Sequence, residues 1–261
     1  ERFRREHERE FLIFDETLIS SLVLADMEGT APVETTGQVR WFKRPTPGHT
    51  YLVSLDPSMG TGGDYAAIQI FELPTFEQVG EWHHNMTPMN QQVRILQGIN
   101  KHIHDTIMEK DATASPQIFY SMENNSIGEA ALMRVMDIGE ENIQGMFLSE
   151  PIRKGHRRKF RRGFNTTAKH KIDACTKFKE LVENGKLEIN SKLLISELKD
   201  FVATGMSYKA KPGQHDDLVM SSLLMTRMMK VLADFDPKIF EKWTDRTTEI
   251  TPMPIFGSFT G

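Results

Sequence analysis

The chain has 261 residues, and its 26% charged and 39% hydrophobic residues are typical of a globular protein. The formal net charge of −4 excludes binding of nucleic acid through an overall positive charge, so such binding would need a local cluster of cations. Cys175 is the only cysteine, which excludes a disulfide within the chain and a zinc site built from several cysteines.

The two ends of the chain differ in composition from its middle. Residues 29–48 are rich in proline and glycine, with one short strand predicted at 38–42. We interpret residues 1–48 as a linker and residues 49–233 as the folded domain. Residues 234–261 contain prolines and show little periodicity, so we interpret them as a C-terminal tail.

The middle of the chain predicts an α/β fold. Three apolar runs separated by turn residues predict an antiparallel meander of strands at 51–55, 66–71 and 76–82. Helices and strands then alternate. Helices are predicted at 90–110, 127–136, 166–184, from 191 onward and at 216–232, and strands at 117–122, 143–148 and within 201–210. This order predicts a mixed sheet, in which the meander is followed by parallel strands, with helices on both faces.

Acidic residues stand at the ends of three separate apolar runs. Asp56 and Glu123 each follow a predicted strand, and Asp216 and Asp217 open the last predicted helix. If the fold brings them together, these carboxylates form a cluster of hard oxygen ligands that suits Mg²⁺ or Mn²⁺. Two such ions about 3.5–4 Å apart support hydrolysis of a phosphodiester, so the pattern predicts a metal-dependent site for that chemistry.

Each of these acids also has a structural explanation when it is taken alone. Asp56 fits the start of an Asx-turn, and Glu123 fits a strand end that faces water. Acids in the first turn of a helix offset its unpaired amides. Because adjacent helical residues project about 100° apart, we expect one of Asp216 and Asp217 to bind metal directly and the other to lie behind it or bind a second ion. The sequence leaves open which of the two is the direct ligand.

A zinc hydrolase and an ATPase are less favoured. His83, His84, His102 and His104 do not form the HExxH pattern of zinc hydrolases, and we expect them to be surface residues. The glycines that follow Asp56 do not lead into the Gly-Lys-Ser or Gly-Lys-Thr of a P-loop, and that motif occurs nowhere else in the chain. We therefore expect no ATP site.

A dense basic segment interrupts this otherwise acidic chain. Its cations are Arg153, Lys154, Arg157, Arg158, Lys159, Arg161 and Arg162, and Lys169 and Lys171 follow shortly after it. Such a cluster attracts the phosphate backbone of double-stranded DNA without reading its sequence. A solvated loop without a partner and a nuclear-localisation signal are the alternative interpretations.

Three stretches of the chain resemble the nuclease domain of tailed-bacteriophage terminase large subunits, most closely the T4-like branch. They are residues 54–65, 122–125 and 213–221, and the run His-Asp-Asp-Leu-Val-Met-Ser in the last stretch is the most specific. The resemblance covers residues from about 51 to 229 and implies a ribonuclease H-like fold. By motif, it implies catalytic and metal-binding roles for Asp56, Glu123, Asp216 and Asp217. It also implies two Mg²⁺ or Mn²⁺ ions and a DNA groove beside the basic segment.

The same resemblance implies a reaction, partners and a location. The implied reaction is metal-dependent cutting of concatemeric viral DNA while a packaging motor fills a procapsid in the host cytoplasm. The implied partners are double-stranded DNA, an ATPase domain of the same polypeptide, a portal protein and a small terminase subunit. Residues 11–26 resemble the connector that follows that ATPase domain, and the start at Glu1 fits a piece of a longer polypeptide.

Two other functions remain open from the sequence. One is another ribonuclease H-like phosphotransferase, such as a resolvase or transposase core. The other is a non-catalytic module that docks on the portal or on the motor. No apolar run approaches the roughly 18 residues of a membrane span, so we expect no membrane partner.

Overall fold

A seven-stranded mixed sheet forms the centre of the computed structural model, which describes residues 16–125, 127–151 and 162–235. The strand order is β1-β2-β5-β4-β3-β6-β7, and β8 pairs with β9 in a separate hairpin. The strands are β1 (Glu34–Thr36), β2 (Val39–Trp41), β3 (Thr50–Asp56), β4 (Ala66–Leu73), β5 (Glu77–His84), β6 (Gln117–Met122), β7 (Met146–Phe147), β8 (Phe201–Thr204) and β9 (Ser207–Ala210). The helices are α1 (Ser21–Asp26), α2 (Met89–Lys110), α3 (Gly128–Ile138), α4 (Ala168–Glu183), α5 (Lys192–Asp200) and α6 (Asp217–Phe235).

Strand β3 organises the sheet because it pairs on both sides. It runs antiparallel to β4 and parallel to β6, and β5 runs antiparallel to β4. Strands β3, β5 and β6 therefore point in the same direction, and their carboxyl ends meet at one edge of the sheet. Ligand sites of open sheets commonly lie at such an edge.

Each face of the sheet is covered by helices. Helices α4, α5 and α6 pack with α1 in one apolar core, and α2 and α3 pack in a second core on the other side. Strand β4 is buried along its whole length, as expected for a strand between two helical layers. None of the helices in the described ranges is long and apolar enough to cross a bilayer.

The predicted α/β fold, with a meander followed by parallel strands and helices on both faces, is confirmed. The observed β7 is shorter than the strand predicted at 143–148, because residues 143–145 form bends in which Gly145 has a φ of 102°. Residues 16–48 pack as part of the folded unit. They supply β1 and β2 to the sheet and Leu18 and Leu24 to a core. Their role as a connector stays a prediction, and most of the predicted tail lies outside the described residues.

Candidate functional site

A row of side chains crosses three strands at the edge where β3, β5 and β6 end. Asp56 of β3 is in register with Ala67 of β4, and Ala67 is in register with His83 of β5. On the other side, Glu123 follows β6 and its N–H donates to the carbonyl of Leu55 at 3.1 Å. Residues in register across a sheet point to the same face, so Glu123, Asp56 and His83 share the face that α6 covers.

Helix α6 brings Asp217, and Asp216 directly before it, to this edge because the helix is fixed to β3. The hydroxyl of Ser54 donates to the carbonyl of Ser221 at 2.8 Å, and the hydroxyl of Ser221 donates back to the carbonyl of Ser54 at 2.8 Å. Ser54 lies two residues before Asp56 on the same face, and Ser221 lies one turn after Asp217. The reciprocal bonds therefore hold the first turn of α6 against the end of β3.

The four predicted acids lie close enough to perturb one another. Burial and then the neighbouring Glu123, with which it shares a hydrogen bond, raise the pKa of Asp56 well above its usual range, and the charges of Asp217 and Asp216 raise it further. Burial and then Asp216 raise the pKa of Asp217 to about 6. Raised pKa values are expected where several carboxylates share a site without enough positive charge.

The donor set of this cluster fits a divalent cation. Asp56, Glu123, Asp216 and Asp217 supply only carboxylate oxygens, which Mg²⁺ and Mn²⁺ prefer. The Oδ2 atom of Asp217 is buried and has no hydrogen-bond partner among the described residues, so a bound cation would pair an otherwise orphaned oxygen. We refer to these four acids as the carboxylate pocket.

Different contacts orient the individual acids. The side chain of Asn125 donates to Glu123 Oε2 at 3.2 Å, and its own carbonyl accepts from Gly128 N at 2.8 Å at the start of α3. Asp216 Oδ2 accepts from the N–H of Ala210 in β9 at 3.2 Å. This bond occupies an oxygen of Asp216, whereas Oδ2 of Asp217 accepts no hydrogen bond from the described residues and lies 3.6 Å from Nδ1 of His215.

Two cations also line the small cavity next to Asp56 and Glu123. They are Lys171, one of the predicted DNA contacts, and Arg227, which we did not predict. Arg227 donates to Thr166 Oγ1 at 2.9 Å and pairs with Glu150, and its guanidinium lies 5.1 Å from the centre of the Phe164 ring. A single arginine within the apolar run of α6 was the sequence signal for such a role.

The other predicted DNA contacts have different outcomes. Arg153, Lys154, Arg157, Arg158, Lys159 and Arg161 lie outside the described residues. Lys169 is exposed in the first turn of α4. Arg162 pairs with Glu140 and lies 5.8 Å from the centre of the Phe147 ring, so the structure already provides its charge with a partner.

The residues on either side of the basic segment are fixed next to the carboxylate pocket. The N–H of Glu150 donates to the carbonyl of Gly163 at 3.2 Å, which joins the two flanks. On the second flank, Phe164 pairs with the chain at Glu123 in a parallel bridge. The described residues on the two sides of the basic segment are therefore connected to each other and, through Phe164, to the chain at Glu123.

The expectation that His83 is a surface residue was wrong. Its side chain is only 13% exposed, because it lies in register with the buried Ala67 and stacks on Tyr65 with ring centres 4.1 Å apart. His84 and His102 are also partly buried, and His102 lies 4.6 Å from the Trp41 ring. We also missed Glu197 of α5, whose Oε1 lies 3.8 Å from Nε2 of His83.

A comparison with models of protein families identifies the family of this chain. A family model described as the terminase RNaseH-like domain matches residues 53–228, a range that contains Asp56, Glu123, Asp216 and Asp217. The chain belongs to the terminase RNaseH-like domain family. Membership of this family supports a nuclease role in DNA packaging, and it confirms the resemblance seen in the sequence.

Solved terminase nuclease structures share the fold. The large terminase nuclease from the thermophilic phage G20c with bound magnesium superimposes with a TM-score of 0.60 at 19% identity, over 82% of this chain and 97% of that chain. The nuclease domain from Thermus phage P74-26 gives 0.55 at 19% identity, over 78% and 93%. The manganese-soaked, inhibitor-bound human cytomegalovirus terminase nuclease domain gives 0.53 at 14% identity, over 84% and 97%. At these identities the likeness establishes the ribonuclease H-like fold.

Proposed function

We propose that this terminase domain is a divalent-cation-dependent endonuclease that cuts concatemeric viral DNA during genome packaging. The observation that carries the proposal is the carboxylate pocket, in which burial and the charges of Glu123, Asp217 and Asp216 raise the pKa of Asp56. Phosphodiester hydrolysis needs no histidine base when two bound divalent ions activate the water and stabilise the leaving oxygen. Similar folds have been seen with bound magnesium and with manganese, which supports the choice of Mg²⁺ or Mn²⁺.

The position of each residue suggests its role in the reaction. Asp56, Glu123 and Asp217 would hold the cations, with Asp216 behind Asp217 or at a second ion. Asn125 would keep Glu123 oriented, because it bonds both the carboxylate and the start of α3. The Ser54–Ser221 pair would keep the distance between β3 and α6 fixed as substrate enters and leaves.

Cations near the pocket would hold the DNA backbone. Lys171 lines the same small cavity as Asp56 and Glu123. Lys169 lies two residues earlier in α4 and is exposed. The described residues that flank the basic segment are joined by the Glu150–Gly163 bond, and Phe164 bridges to Glu123, which supports a role for the segment along the same path of the DNA. Contacts of this kind bind phosphates of any sequence, so we propose weak sequence preference and binding that weakens steeply with salt.

Cutting of supercoiled plasmid by the purified chain tests the proposal. We expect nicked and linear DNA with Mg²⁺ or Mn²⁺ and no cutting after EDTA is added. Equal cutting with and without EDTA would overturn the cation requirement, and no cutting with any divalent ion would support a non-catalytic docking module instead.

A comparison of substrates separates the proposal from the other ribonuclease H-like enzymes. We expect linear duplexes and four-way branched duplexes of equal length to be cut at similar rates. Strong preference for the branched substrate would identify a resolvase, and joining of DNA ends to a target would identify a transposase core.

A further inference from the structure

A second group of ligand-type side chains lies beside the carboxylate pocket, toward β5. One ligand atom each of His83, Glu197 and Asp217 lies within 4.8 Å of the other two. The three residues come from β5, α5 and the first turn of α6. His83 is two strands away from Asp56 in the same row, with Ala67 between them, so this group is separate from the contact between Asp56 and Glu123.

Two buried atoms of this group accept or donate no hydrogen bond among the described residues, although Oδ2 of Asp217 lies 3.6 Å from Nδ1 of His215. Nε2 of His83 and Oδ2 of Asp217 are both buried and have no hydrogen-bond partner in the described part of the chain. Glu197 uses Oε2 to accept from the N–H of Val219 at 3.0 Å, which leaves Oε1 directed to His83 at 3.8 Å. A buried polar atom without a hydrogen-bond partner is unfavourable, so neighbouring atoms of this kind indicate a ligand.

We propose that His83, Glu197 and Asp217 form a transition-metal site next to the carboxylate pocket. An imidazole nitrogen with two carboxylates suits Zn²⁺ or Co²⁺ better than Mg²⁺, which prefers an all-oxygen shell. Two ligands that each lie about 2.1 Å from a zinc ion are at most about 4.2 Å apart, and the 3.8 Å between His83 and Glu197 already meets that limit. Three protein ligands leave one position of a tetrahedral zinc for water.

The surroundings hold the three ligands in place. The ring of Tyr65 stacks on His83, and a bond from the N–H of Val219 at the start of α6 fixes Glu197. The charge of Arg40, which acts on His83, is balanced by Glu81 at 3.0 Å.

Asp217 belongs to both groups, which gives the second site a consequence for the first. A cation between His83, Glu197 and Asp217 would fix the carboxylate of Asp217 and the first turn of α6. Asp216 directly precedes this turn. A cation at the second site would therefore adjust the geometry of the carboxylate pocket without contacting Asp56 or Glu123.

Zinc titration by calorimetry tests this site in a chain whose carboxylate pocket is disabled. The background variant is Asp56→Asn with Glu123→Gln, which leaves His83, Glu197 and Asp217 unchanged. We expect this variant to bind one zinc ion per chain. Adding His83→Gln should weaken the zinc affinity by about 100-fold or more, since even residues behind a metal ligand contribute about 10–100-fold.

The matched control is His104→Gln in the same background, because His104 lies on α2 and is not part of the group. Circular dichroism in EDTA checks that every variant is folded. The proposal is overturned if the background variant binds no zinc, or if His83→Gln and His104→Gln bind it equally well. Neither result touches the carboxylate pocket, whose own test is magnesium-dependent cutting by the unsubstituted chain.

A diffraction measurement gives the same answer without substitutions. Crystals soaked in Co²⁺ should show anomalous density within bonding distance of His83 Nε2. Cobalt density confined to Asp56 and Glu123 would contradict the proposal.

Discussion

The two ends of the β3–β4 pair bury carboxylates in opposite electrostatic surroundings. At one end, Glu72 has no exposed side-chain surface and is paired with Lys43 and with His49 Nδ1 at 3.0 Å. The hydroxyls of Tyr51 and Thr75 donate to it at 3.1 and 2.9 Å. At the other end, Asp56 meets three further carboxylates and shares a hydrogen bond with Glu123.

The pKa values of Glu72 and Asp56 shift in opposite directions because of this difference. Burial favours a raised pKa at both ends. At Glu72 the hydrogen bonds from Lys43, His49 and Thr75 outweigh burial and lower the pKa. At Asp56 the neighbouring acids add to burial and raise it. A carboxylate with its own positive partners stabilises the fold, whereas carboxylates grouped without enough positive charge require a cation from outside.

Asp56→Asn should have the largest effect on activity and little effect on stability. We expect plasmid cutting to fall more than about 100-fold, because a direct ligand should count for more than the residues behind it. In EDTA the free energy of unfolding should not fall, because the substitution removes a charge from a group of like charges. Plasmid cutting and urea unfolding measure the two effects.

The control for this substitution is Asp111→Asn, which removes an exposed acid at the end of α2. It should cut at the rate of the unsubstituted chain. If Asp56→Asn also cuts at that rate, Asp56 is not part of the catalytic site.

Glu72→Gln should show the opposite pattern. Hydrogen bonds to a charged group contribute about 1.5–3 kcal/mol, so we expect the free energy of unfolding to fall by about 2 kcal/mol. Cutting by the folded variant should stay within a few-fold of the unsubstituted chain, because Glu72 lies at the far end of the strands. Loss of cutting with unchanged stability would reverse the roles assigned to the two ends.

Divalent cations should stabilise only the end at which several carboxylates are grouped. At a Mn²⁺ concentration ten times its Kd, the chain should gain about 1.4 kcal/mol in unfolding free energy. Glu72→Gln should gain the same amount, and Asp56→Asn with Glu123→Gln should lose the part due to the carboxylate pocket. Thermal unfolding with and without Mn²⁺ provides the measurement. An equal gain in all three proteins would place the cation elsewhere.

The smallest expected effect is a change in how the free energy of unfolding falls at acidic pH. Because the pKa of Glu72 is lowered on folding, its contribution is present above its unfolded pKa of about 4.5 and is lost as the pH falls through the folded value. Unfolding in EDTA between pH 6 and roughly pH 3 should show a shallower loss of stability in Glu72→Gln than in the unsubstituted chain. Parallel curves for the two proteins would contradict this.

The sequence predicted the parts of the fold that depend on local patterns. The helix at 90–110 and the strand at 117–122 were found because their apolar spacing is regular and uninterrupted. The acids of the carboxylate pocket were found because each one ends or opens such a run, and a parallel β3–β6 pair places Asp56 beside Glu123.

Residues whose role arises from contacts with distant parts of the chain were not predicted. His83 was assigned to the surface because it comes into line with Asp56 only through Ala67 of β4, which lies between β3 and β5. That strand order cannot be seen in the local sequence around His83. Glu197 and Arg227 each interrupt an apolar helix face, and their partners are 22 and 77 residues away in the chain. Such long-range pairings leave no periodic signal in a single sequence.

The most direct test of the carboxylate pocket is anomalous diffraction from crystals of the unsubstituted chain soaked in Mn²⁺. We predict density bound jointly by carboxylate oxygens of Asp56, Glu123 and Asp217. Crystals without density there, at a Mn²⁺ concentration that supports cutting in solution, would contradict the account.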